Sequence, residues 1–272
     1  MNEFNTPLTG GKTAGTEGRP PLAVWQETCT VRFGSIDCSD RLSLDSIFNF
    51  FQEAAISHAE HLGVGREAMA RTNQVWILSR MSVAVDRRPQ YGETIAVRTW
   101  PRGGEKLFAL RDYDILDAKG KTAVRGRSGW LIIDMEKRRP LRPQAIMNTL
   151  PLNEGMDALP APPAGLEERK DLQKTASRRA LYSDVDYNGH VNNVRYVQWI
   201  QDTLEPELLE KADCMRLDIN YVNEILPGET TEIWQAKIAA GKIAAGTAHA
   251  FAFEGRKAQG GAAAFRAELQ LW

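Results

Sequence analysis

The sequence predicts an α+β fold of two tandem domains, each an antiparallel sheet wrapped around one long helix. Three observations predict it. In each half of the chain one helical pattern precedes a run of strand patterns, an order typical of α+β proteins. A proline-rich stretch separates the halves. Short sequence strings also recur at corresponding places in both halves, which indicates an internal repeat.

The composition indicates a globular protein with a large core. The chain has 272 residues, of which 43% are hydrophobic and 25% charged, and this length fits two domains. A net charge of -1 gives no basic field that would favour nucleic acid. No apolar run approaches the ~20 residues of a membrane span, and no hydrophobic signal core begins the chain. The three cysteines are widely spaced, so we expect no disulfide framework, no metal site and a cytoplasmic location.

The first half begins with a tail, a strand and a long helix. Residues 1–22 are rich in Gly, Thr, Asn and Pro, which predicts a flexible tail. Residues 24–33 have strand character, and a polar turn follows. Apolar residues then recur at helical spacing from Leu44 to Leu62, with Ser43 placed as N-cap and Gly63 as the stop. This wide apolar face predicts a helix buried under a sheet.

A short helix and four strands complete the predicted first domain, residues 23–139. The helix covers residues 66–72. The strand patterns, separated by turn residues, cover 75–85, 94–100, 108–114 and 122–134. Residues 140–175 are predicted to be the connector between domains. Nearly half of the chain's 13 prolines lie in this region, a density that excludes helix and central strand.

The second predicted domain, residues 176–272, repeats the order of the first. A strand at 176–182 and a helix at 191–204, stopped near Pro206, precede four more strands. These strands are predicted at 215–222, 230–239, 247–254 and 262–271. The tripeptide Gly-Glu-Thr follows a strand at 92–94 and again at 228–230. The recurrence supports a duplicated unit.

A polar cluster precedes the second helix. Asp186, Asn188 and His190 alternate, so in an extended segment they would share one face, and Gly189 would allow close approach of a ligand. Asn192 is placed as the N-cap of a helix whose free N–H groups could stabilise an oxyanion. The alternative is an Asx-rich turn that caps a helix for local reasons. The residue types alone leave both interpretations open.

The pattern D-x-N-x-H-V-N-N-x-x-Y-x-x-W at residues 186–199 resembles the acyl-acyl carrier protein thioesterases of plants and bacteria. The resemblance implies two tandem hot-dog domains, hydrolysis of an acyl thioester, and acyl carrier protein as the partner, with no cofactor or metal. It also implies that the Tyr-x-x-Glu pattern at 221–224 supplies Glu224 as the base that activates water. Asp186, Asn188 and His190 would complete the catalytic site. Ile225 stands where the plant enzymes carry cysteine, which favours a water mechanism.

The resemblance further implies that the first domain houses the acyl chain. The candidate substrate-binding residues are Asn192, Ile47, Phe48, Phe51 and Trp76. Ordinary core packing is an equally good interpretation of the apolar ones. Two basic groups are candidate docking surfaces for an acidic carrier: Lys137, Arg138, Arg139 and Arg142, and Lys170, Lys174, Arg178 and Arg179. The test is placed on Arg178 and Arg179. An acyl-coenzyme A thioesterase, a non-catalytic acyl-binding protein, and either a monomer or a homodimer remain open.

Overall fold

The computed structural model describes residues 23–239 and 249–272, which form an 11-stranded sheet with two principal helices. The predicted tail at 1–22, and residues 247 and 248 at the start of a predicted strand, lie outside the described residues. We call residues 23–141 the first lobe, 142–172 the connector and 173–272 the second lobe. The elements of the first lobe are β1 (Trp25–Thr30), α1 (Leu44–His61), α2 (Arg66–Arg71), β2 (Gln74–Val85), β3 (Thr94–Glu105), β4 (Phe108–Asp117), β5 (Thr122–Asp134) and β6 (Arg139–Leu141).

Helix α1 begins and ends where the sequence predicts. The Ser43 hydroxyl accepts the N–H of Ser46 at 3.3 Å, and Asp45 lies in the first turn, where a negative charge is favourable. After His61 the chain leaves the helix through Gly63, which has a φ of 70°. The face turned to the sheet carries the buried residues Leu44, Ile47, Phe48, Phe51, Ala54, Ala55 and His58. The apolar spacing of the sequence therefore corresponds to the buried face.

The connector contains α3 (Gln144–Met147), and the second lobe follows it. The elements of the second lobe are β7 (Gln173–Arg179), α4 (Asn193–Gln201), α5 (Pro206–Lys211), β8 (Met215–Tyr221), β9 (Thr230–Ile238), β10 (His249–Lys257) and β11 (Ala263–Leu271). Helix α4 has nine residues against eighteen in α1. Helix α5 was not predicted, because Pro206 was interpreted only as a stop. Proline also suits the first position of a helix, where its missing N–H costs nothing.

The sheet repeats one strand order twice. Its order is β1-β3-β4-β5-β2-β8-β11-β10-β9-β7, so the second lobe mirrors the first across the β2–β8 pair. These two strands pair antiparallel from Arg80 opposite Asn220 to Val85 opposite Met215. Each lobe therefore covers the free edge of the other, which removes two exposed sheet edges.

The two principal helices run antiparallel. The Asp45 N–H, at the start of α1, donates to Oε1 of Gln201 at 2.9 Å, at the end of α4. Gln198 returns a bond of 2.8 Å from its Nε2 to the Asp45 carboxylate. The start of α4 consequently lies toward the end of α1. This arrangement positions the polar turn before α4 beside the first lobe.

The connector is bonded to the sheet through buried polar groups. Arg127 donates to both carboxylate oxygens of Asp112, at 2.5 and 2.7 Å, and neither side chain is more than 4% exposed. The same carboxylate accepts the N–H of Ala158 at 2.8 Å, and Arg127 also reaches Asp157 at 2.6 Å. Further along, the side-chain amide of Asn220 binds the backbone of residues 164 and 166. The connector therefore runs along both lobes as a bonded strap.

The expectation that proline excludes helix from the connector is wrong over one turn. Helix α3 begins directly after Pro143, since a proline before the first helical N–H groups breaks no intrahelical bond. Pro140 lies in β6, which pairs only with β5 and is an edge strand that tolerates proline. Strand β7 begins at Gln173, three residues earlier than predicted. Within residues 23–239 and 249–272, no helix is long and apolar enough to span a membrane.

Replacing Asp112 tests how strongly this ion pair stabilises the fold. Asp112→Ala leaves the buried charge of Arg127 with Asp157 alone, so we expect a loss of about 3–5 kcal/mol in the free energy of unfolding. Urea denaturation measures the loss. Asp86→Ala is the control, because it removes the carboxylate partner of Arg125 in a pair 40% and 45% exposed. That change should cost less than about 1 kcal/mol, and equal losses would contradict the account.

Candidate active site

The polar segment before α4 forms a tight turn. Val185 and Val191 make an antiparallel bridge, and within it the Asp186 N–H donates to the His190 carbonyl at 3.0 Å. The Gly189 N–H donates to the Asp186 carbonyl, also at 3.0 Å. The interpretation that alternate residues of an extended segment share one face is therefore wrong here. Local Asx and glycine turn chemistry determines the backbone instead.

Gly189 is required by its backbone angle. Its φ is 84°, a left-handed conformation that residues with a Cβ rarely adopt. A Cβ at this position would meet no atom within 4 Å. No atom of the described residues approaches Gly189 closely, so the residue serves the turn, and the expected close approach of a ligand stays a prediction.

Asp186 organises the turn through its carboxylate. One oxygen accepts the backbone N–H of Asn188 at 2.8 Å, and the other accepts the Asn188 side-chain amide at 3.4 Å. Asn188 is exposed, whereas Asp186 and His190 are half-buried. The carboxylate therefore sets the orientation of an amide that remains accessible to a ligand.

Helix α4 begins with the predicted cap. The Asn192 Oδ1 atom accepts the N–H of Val194 at 2.9 Å, and its carbonyl accepts the N–H of Arg195 at 2.9 Å. The N–H of Asn193, the first helical residue, has no intrahelical acceptor by the geometry of a helix. This N–H, with the positive end of the helix dipole, is suited to a developing negative charge. The Asn192 oxygen is used in capping, and its role toward substrate stays a prediction.

The turn is joined to the loop after β8 by one backbone bond. The Val191 N–H donates to the Ile225 carbonyl at 2.8 Å. His190 and Glu224 immediately precede these two bonded residues. The structure thus brings the predicted catalytic residues Asp186, Asn188, His190 and Glu224 to one end of the second lobe. The Glu224 side chain is exposed, and in the described part of the chain its carboxylate has no hydrogen-bond or ion-pair partner.

Two tyrosines, Tyr196 buried and Tyr221 half-buried, lie behind this group. The rings of Tyr196 and Tyr221 are 5.9 Å apart. Burial raises the pKa of Tyr196, and the charges of Asp186 and Glu224 raise it further, against a hydrogen bond with the Ile225 backbone. The Tyr196 phenol therefore stays protonated at neutral pH. The sequence predicted no role for either tyrosine, although Tyr196 lies in the pattern at 186–199 and Tyr221 in the pattern at 221–224.

The first lobe contributes one contact to the turn. The Arg66 guanidinium, at the start of α2, lies 4.1 Å from the centre of the Tyr187 ring. Tyr187 stands between Asp186 and Asn188 and is 61% exposed. A cation over an aromatic face is attractive even at an exposed site. No sequence signal links residues so far apart in the chain.

The first lobe contains the same turn with different side chains. The Asp37 carboxylate accepts the N–H of Ser39 at 3.0 Å, as Asp186 does for Asn188. The Leu42 N–H donates to the Pro89 carbonyl at 2.7 Å, the counterpart of the bond between Val191 and Ile225. In this correspondence Arg88 occupies the position of Glu224. The duplication predicted from the sequence therefore extends to individual hydrogen bonds.

Arg88 closes the first-lobe turn. It is 3% exposed and donates to the Asp37 carboxylate, to the Leu42 carbonyl at 3.0 Å and to the Leu209 carbonyl at 3.1 Å. Burial acts to raise the pKa of Asp37, but hydrogen bonds from Ser39 and the charge of Arg88 lower it overall. A carboxylate held in this way cannot serve as a base. At this position the first lobe therefore has a buried arginine where the second lobe has the exposed carboxylate of Glu224.

The predicted apolar walls lie within the core. Ile47, Phe48 and Phe51 are at most 2% exposed, and the Phe51 ring lies 4.8 Å from that of Tyr113. Trp76 is half-buried, and its Nε1–H donates to the Val64 carbonyl at 2.9 Å. A cavity of about 350 Å³ lies elsewhere, against Trp234 and the side chains around it in the second lobe. Acyl-chain binding by the apolar walls stays a prediction.

Two family models match the chain. The acyl-ACP thioesterase N-terminal domain matches residues 23–147, and the acyl-ACP thioesterase C-terminal domain matches residues 167–267. The chain belongs to the acyl-ACP thioesterase family. The resemblance found in the turn before α4 is therefore confirmed over most of the chain.

Curated members of this family are similar over three quarters of the chain. The palmitoyl-acyl carrier protein thioesterase of Cuphea hookeriana, named chloroplastic, is 28% identical over 218 residues, 74% of this chain and 52% of that protein. The oleoyl-acyl carrier protein thioesterase 1 of Arabidopsis thaliana, also named chloroplastic, is 22% identical over 74% of this chain and 60% of that protein. The chain spans about half the length of the first of these relatives.

Solved structures of the family share the fold. An acyl-ACP thioesterase from Bacteroides thetaiotaomicron is 25% identical with a TM-score of 0.76, covering 91% of this chain and 97% of that one. The 12:0-ACP thioesterase from Umbellularia californica is 22% identical with a TM-score of 0.72, covering 92% and 94%. The predicted α+β fold of tandem hot-dog domains is confirmed. Over the described ranges, no group of three or more His, Cys, Asp or Glu side chains could hold a metal ion.

The two turns should differ in their contribution to stability. Asp37→Ala strands the buried charge of Arg88, so we expect a loss of about 3–5 kcal/mol at neutral pH. Asp186→Ala removes hydrogen bonds at an open turn and should cost about 1–2 kcal/mol. Urea denaturation of both variants tests the contrast, and a larger loss for Asp186→Ala would contradict it.

The contribution of Asp37 to the free energy of unfolding should also depend on pH. Because the folded pKa of Asp37 is lowered, its stabilisation is complete above the unfolded value of about 4 and is lost as pH falls through the folded value. The difference between wild type and Asp37→Ala should therefore shrink on acidification. A constant difference across this range would show that the charge of Asp37 is not the stabilising feature.

Proposed function

We propose that this protein hydrolyses the thioester of fatty acyl chains carried on acyl carrier protein and so releases free fatty acid. The observation that carries the proposal is the group of Asp186, Asn188, His190 and Glu224 at the start of α4. Membership of the acyl-ACP thioesterase family supports it, as do the names of the relatives, which are acyl carrier protein thioesterases.

Glu224 acts as the general base. Its exposed carboxylate takes a proton from a water molecule, whose oxygen attacks the carbonyl carbon of the thioester. The proton then passes to the departing sulfur, which leaves as the free thiol of the carrier. No G-x-S-x-G motif is present in the sequence, and Ile225 replaces the cysteine of the plant pattern, so a water mechanism is favoured.

The start of α4 stabilises the oxyanion. The Asn193 N–H and the Asn188 side-chain amide are the available donors, and the helix dipole adds a partial positive charge. Asp186 fixes Asn188 through its two hydrogen bonds, and His190 hydrogen-bonds water or substrate. The Arg66 contact with Tyr187 steadies the turn from the first lobe.

The acyl chain enters the first lobe. The candidate walls Ile47, Phe48, Phe51 and Trp76 are apolar, and α1, which carries three of them, packs against α4. Because these side chains pack against the core, a bound chain must displace some of them. Chain length and unsaturation preference depend on how far they yield.

The carrier protein docks through basic residues beside the catalytic loop. Arg179 is exposed, and its guanidinium lies next to Gly228, in the loop that carries Glu224. Arg178 pairs with Asp202 at 3.3 Å on the surface. Acyl-coenzyme A hydrolysis and acyl binding without turnover are the alternatives. The relative hydrolysis rates of acyl-ACP and acyl-coenzyme A distinguish the proposed function from the first alternative. Tight acyl binding without release of product would indicate the second. A cytoplasmic location and a monomeric or homodimeric state stay predictions.

Two substitutions test the catalytic group. Glu224→Gln removes the base, and Asn188→Ala removes an oxyanion donor, so each should lower kcat on acyl-ACP at least about hundredfold. Glu207→Gln, an exposed glutamate on α5, is the matched control and should retain full activity. Steady-state release of fatty acid measures the effect. Full activity in both Glu224→Gln and Asn188→Ala would end this assignment.

Charge reversal tests the docking surface. Arg178→Glu with Arg179→Glu should raise KM for acyl-ACP about tenfold and leave hydrolysis of acyl-pantetheine unchanged, because only the carrier protein is acidic. Lys137→Glu with Arg139→Glu reverses an exposed basic pair of the first lobe and is the control. An effect confined to the first-lobe pair would move the docking surface there, contrary to the proposal.

A further inference from the structure

A buried polar layer crosses the interior of the first lobe. Arg111 on β4 lies opposite Ser128 on β5, and Tyr113 lies opposite Gly126, whose backbone is in contact with Phe51 of α1. These alternate residues therefore face α1. The residues between them, Asp112 and Arg127, face the connector instead. A guanidinium consequently lies inside a lobe otherwise packed with apolar side chains.

The partners of Arg111 are neutral. Its Nη1 atom lies 3.1 Å from Nδ1 of His58 and 3.3 Å from the Thr99 hydroxyl. Because a guanidinium only donates, Nδ1 of His58 is the acceptor. The Ser128 hydroxyl nearby is engaged by the Tyr113 hydroxyl at 2.9 Å. No carboxylate in the described ranges pairs with Arg111, and no acceptor there meets its Nε and Nη2 atoms.

Other arginines of this chain show what that edge binds. In six of them Nε and Nη2 together donate to one carboxylate. These six are Arg98, Arg102, Arg125, Arg127, Arg169 and Arg216. This fork matches the two oxygens of a carboxylate in both spacing and plane. The Nε and Nη2 atoms of Arg111 form no such pair within the described residues.

Arg111 is half-buried, and a cation held partly out of water without a carboxylate partner is costly. Burial lowers the pKa of Arg111, which reflects the loss of water around the charge. A guanidinium nevertheless stays protonated in proteins, so it cannot relieve the cost by losing its proton. Removing one partner of a buried ion pair destabilises proteins strongly for the same reason. The cation is therefore best explained by an anion that it binds.

The position of Arg111 relates that anion to the acyl chain. Ala109, two residues before Arg111 on β4, belongs to a small apolar cluster with Met147 and Leu150. Tyr113, two residues after it, belongs to the main core with Phe51. Arg111 therefore lies where two apolar regions of the first lobe meet. A ligand that reaches it from the catalytic end must pass through apolar surroundings.

A polar group is also buried near the catalytic end. Tyr221, three residues before Glu224, has a buried hydroxyl with no partner among the described residues. Its ring lies 5.9 Å from that of Tyr196, and burial raises the pKa of Tyr221.

We propose that the Nε and Nη2 edge of Arg111 binds a carboxylate at the far end of the acyl chain, so that ω-carboxylated acyl thioesters are preferred substrates. His58 and Thr99 hold the guanidinium in orientation. A hydroxyl or keto oxygen would accept a hydrogen bond but would leave the charge uncompensated. A small inorganic anion would gain nothing from the apolar approach. This proposal rests on the proposed function, because it assumes that an acyl chain enters the first lobe.

Binding without turnover gives the first test. The probes are two pantetheine amides of one chain length, which cannot be hydrolysed as thioesters, one ending in a methyl group and one in a carboxylate. Calorimetry on the wild type should show the carboxylate form bound at least about tenfold more tightly, as expected for a charged bidentate contact. Arg111→Met should abolish this preference, and Arg111→Lys, a point charge, should retain part of it. Arg125→Met, whose side chain pairs with Asp86 at the surface, should leave it unchanged.

Several results would overturn the proposal. The first is that the wild type binds the methyl-ended and carboxylate-ended probes equally well at every chain length. The second is that the preference for the carboxylate-ended probe survives Arg111→Met. The third is that phosphate or chloride competes as effectively as the carboxylate-ended probe. Arg111→Met should also have a melting temperature no lower than wild type, because it removes an uncompensated charge. A clear decrease would assign Arg111 a structural role instead.

The thioester forms of the two probes separate this inference from the proposed function. Cleavage of both with no ω-carboxylate preference overturns the Arg111 site and leaves the hydrolase standing. Arg111-dependent binding of the carboxylate amide without cleavage of either thioester supports the Arg111 site and overturns the proposed hydrolase activity. A preference in kcat/KM that is lost in Arg111→Met supports both.

Discussion

The candidate site depends on one backbone hydrogen bond, from the Val191 N–H to the Ile225 carbonyl. It joins a turn that the sequence keeps polar to a loop more than thirty residues later, and so brings His190 and Glu224 onto neighbouring segments. The first lobe has the same bond between Leu42 and Pro89. The backbone of the site is therefore an inherited property of the duplicated unit, and only the side chains differ between lobes.

That difference gives the first lobe a buried ion pair where the second lobe has an exposed carboxylate. In the first lobe the position before the bonded carbonyl is Arg88, which is buried and paired with Asp37. In the second lobe the same position is Glu224, which is exposed and has no ion-pair partner among the described residues. Its carboxylate therefore remains available to water. The buried pair beneath the connector, Asp112 with Arg127, stabilises the protein away from this site.

Local patterns predicted most of the fold. The apolar spacing of α1, its Ser43 cap and the strand at 122–134 were all recognisable because they depend on neighbouring residues. The backbone of the turn was not predictable, since an alternating pattern does not reveal that hydrogen bonds will fold it back. Contacts between lobes, such as Arg66 with Tyr187, join residues far apart in sequence. Whether Arg111 has a carboxylate partner likewise depends on which strands meet, and a single sequence does not contain that information.

The most direct test of the account is a crystal structure with a non-hydrolysable acyl-pantetheine amide bound. The account predicts the amide carbonyl at the start of α4, its oxygen toward the Asn193 N–H, and a water molecule between its carbon and the Glu224 carboxylate. The chain beyond the carbonyl should run into the first lobe. A carbonyl bound at the turn of Asp37, or in the cavity beside Trp234, would contradict a single hydrolytic centre in the second lobe.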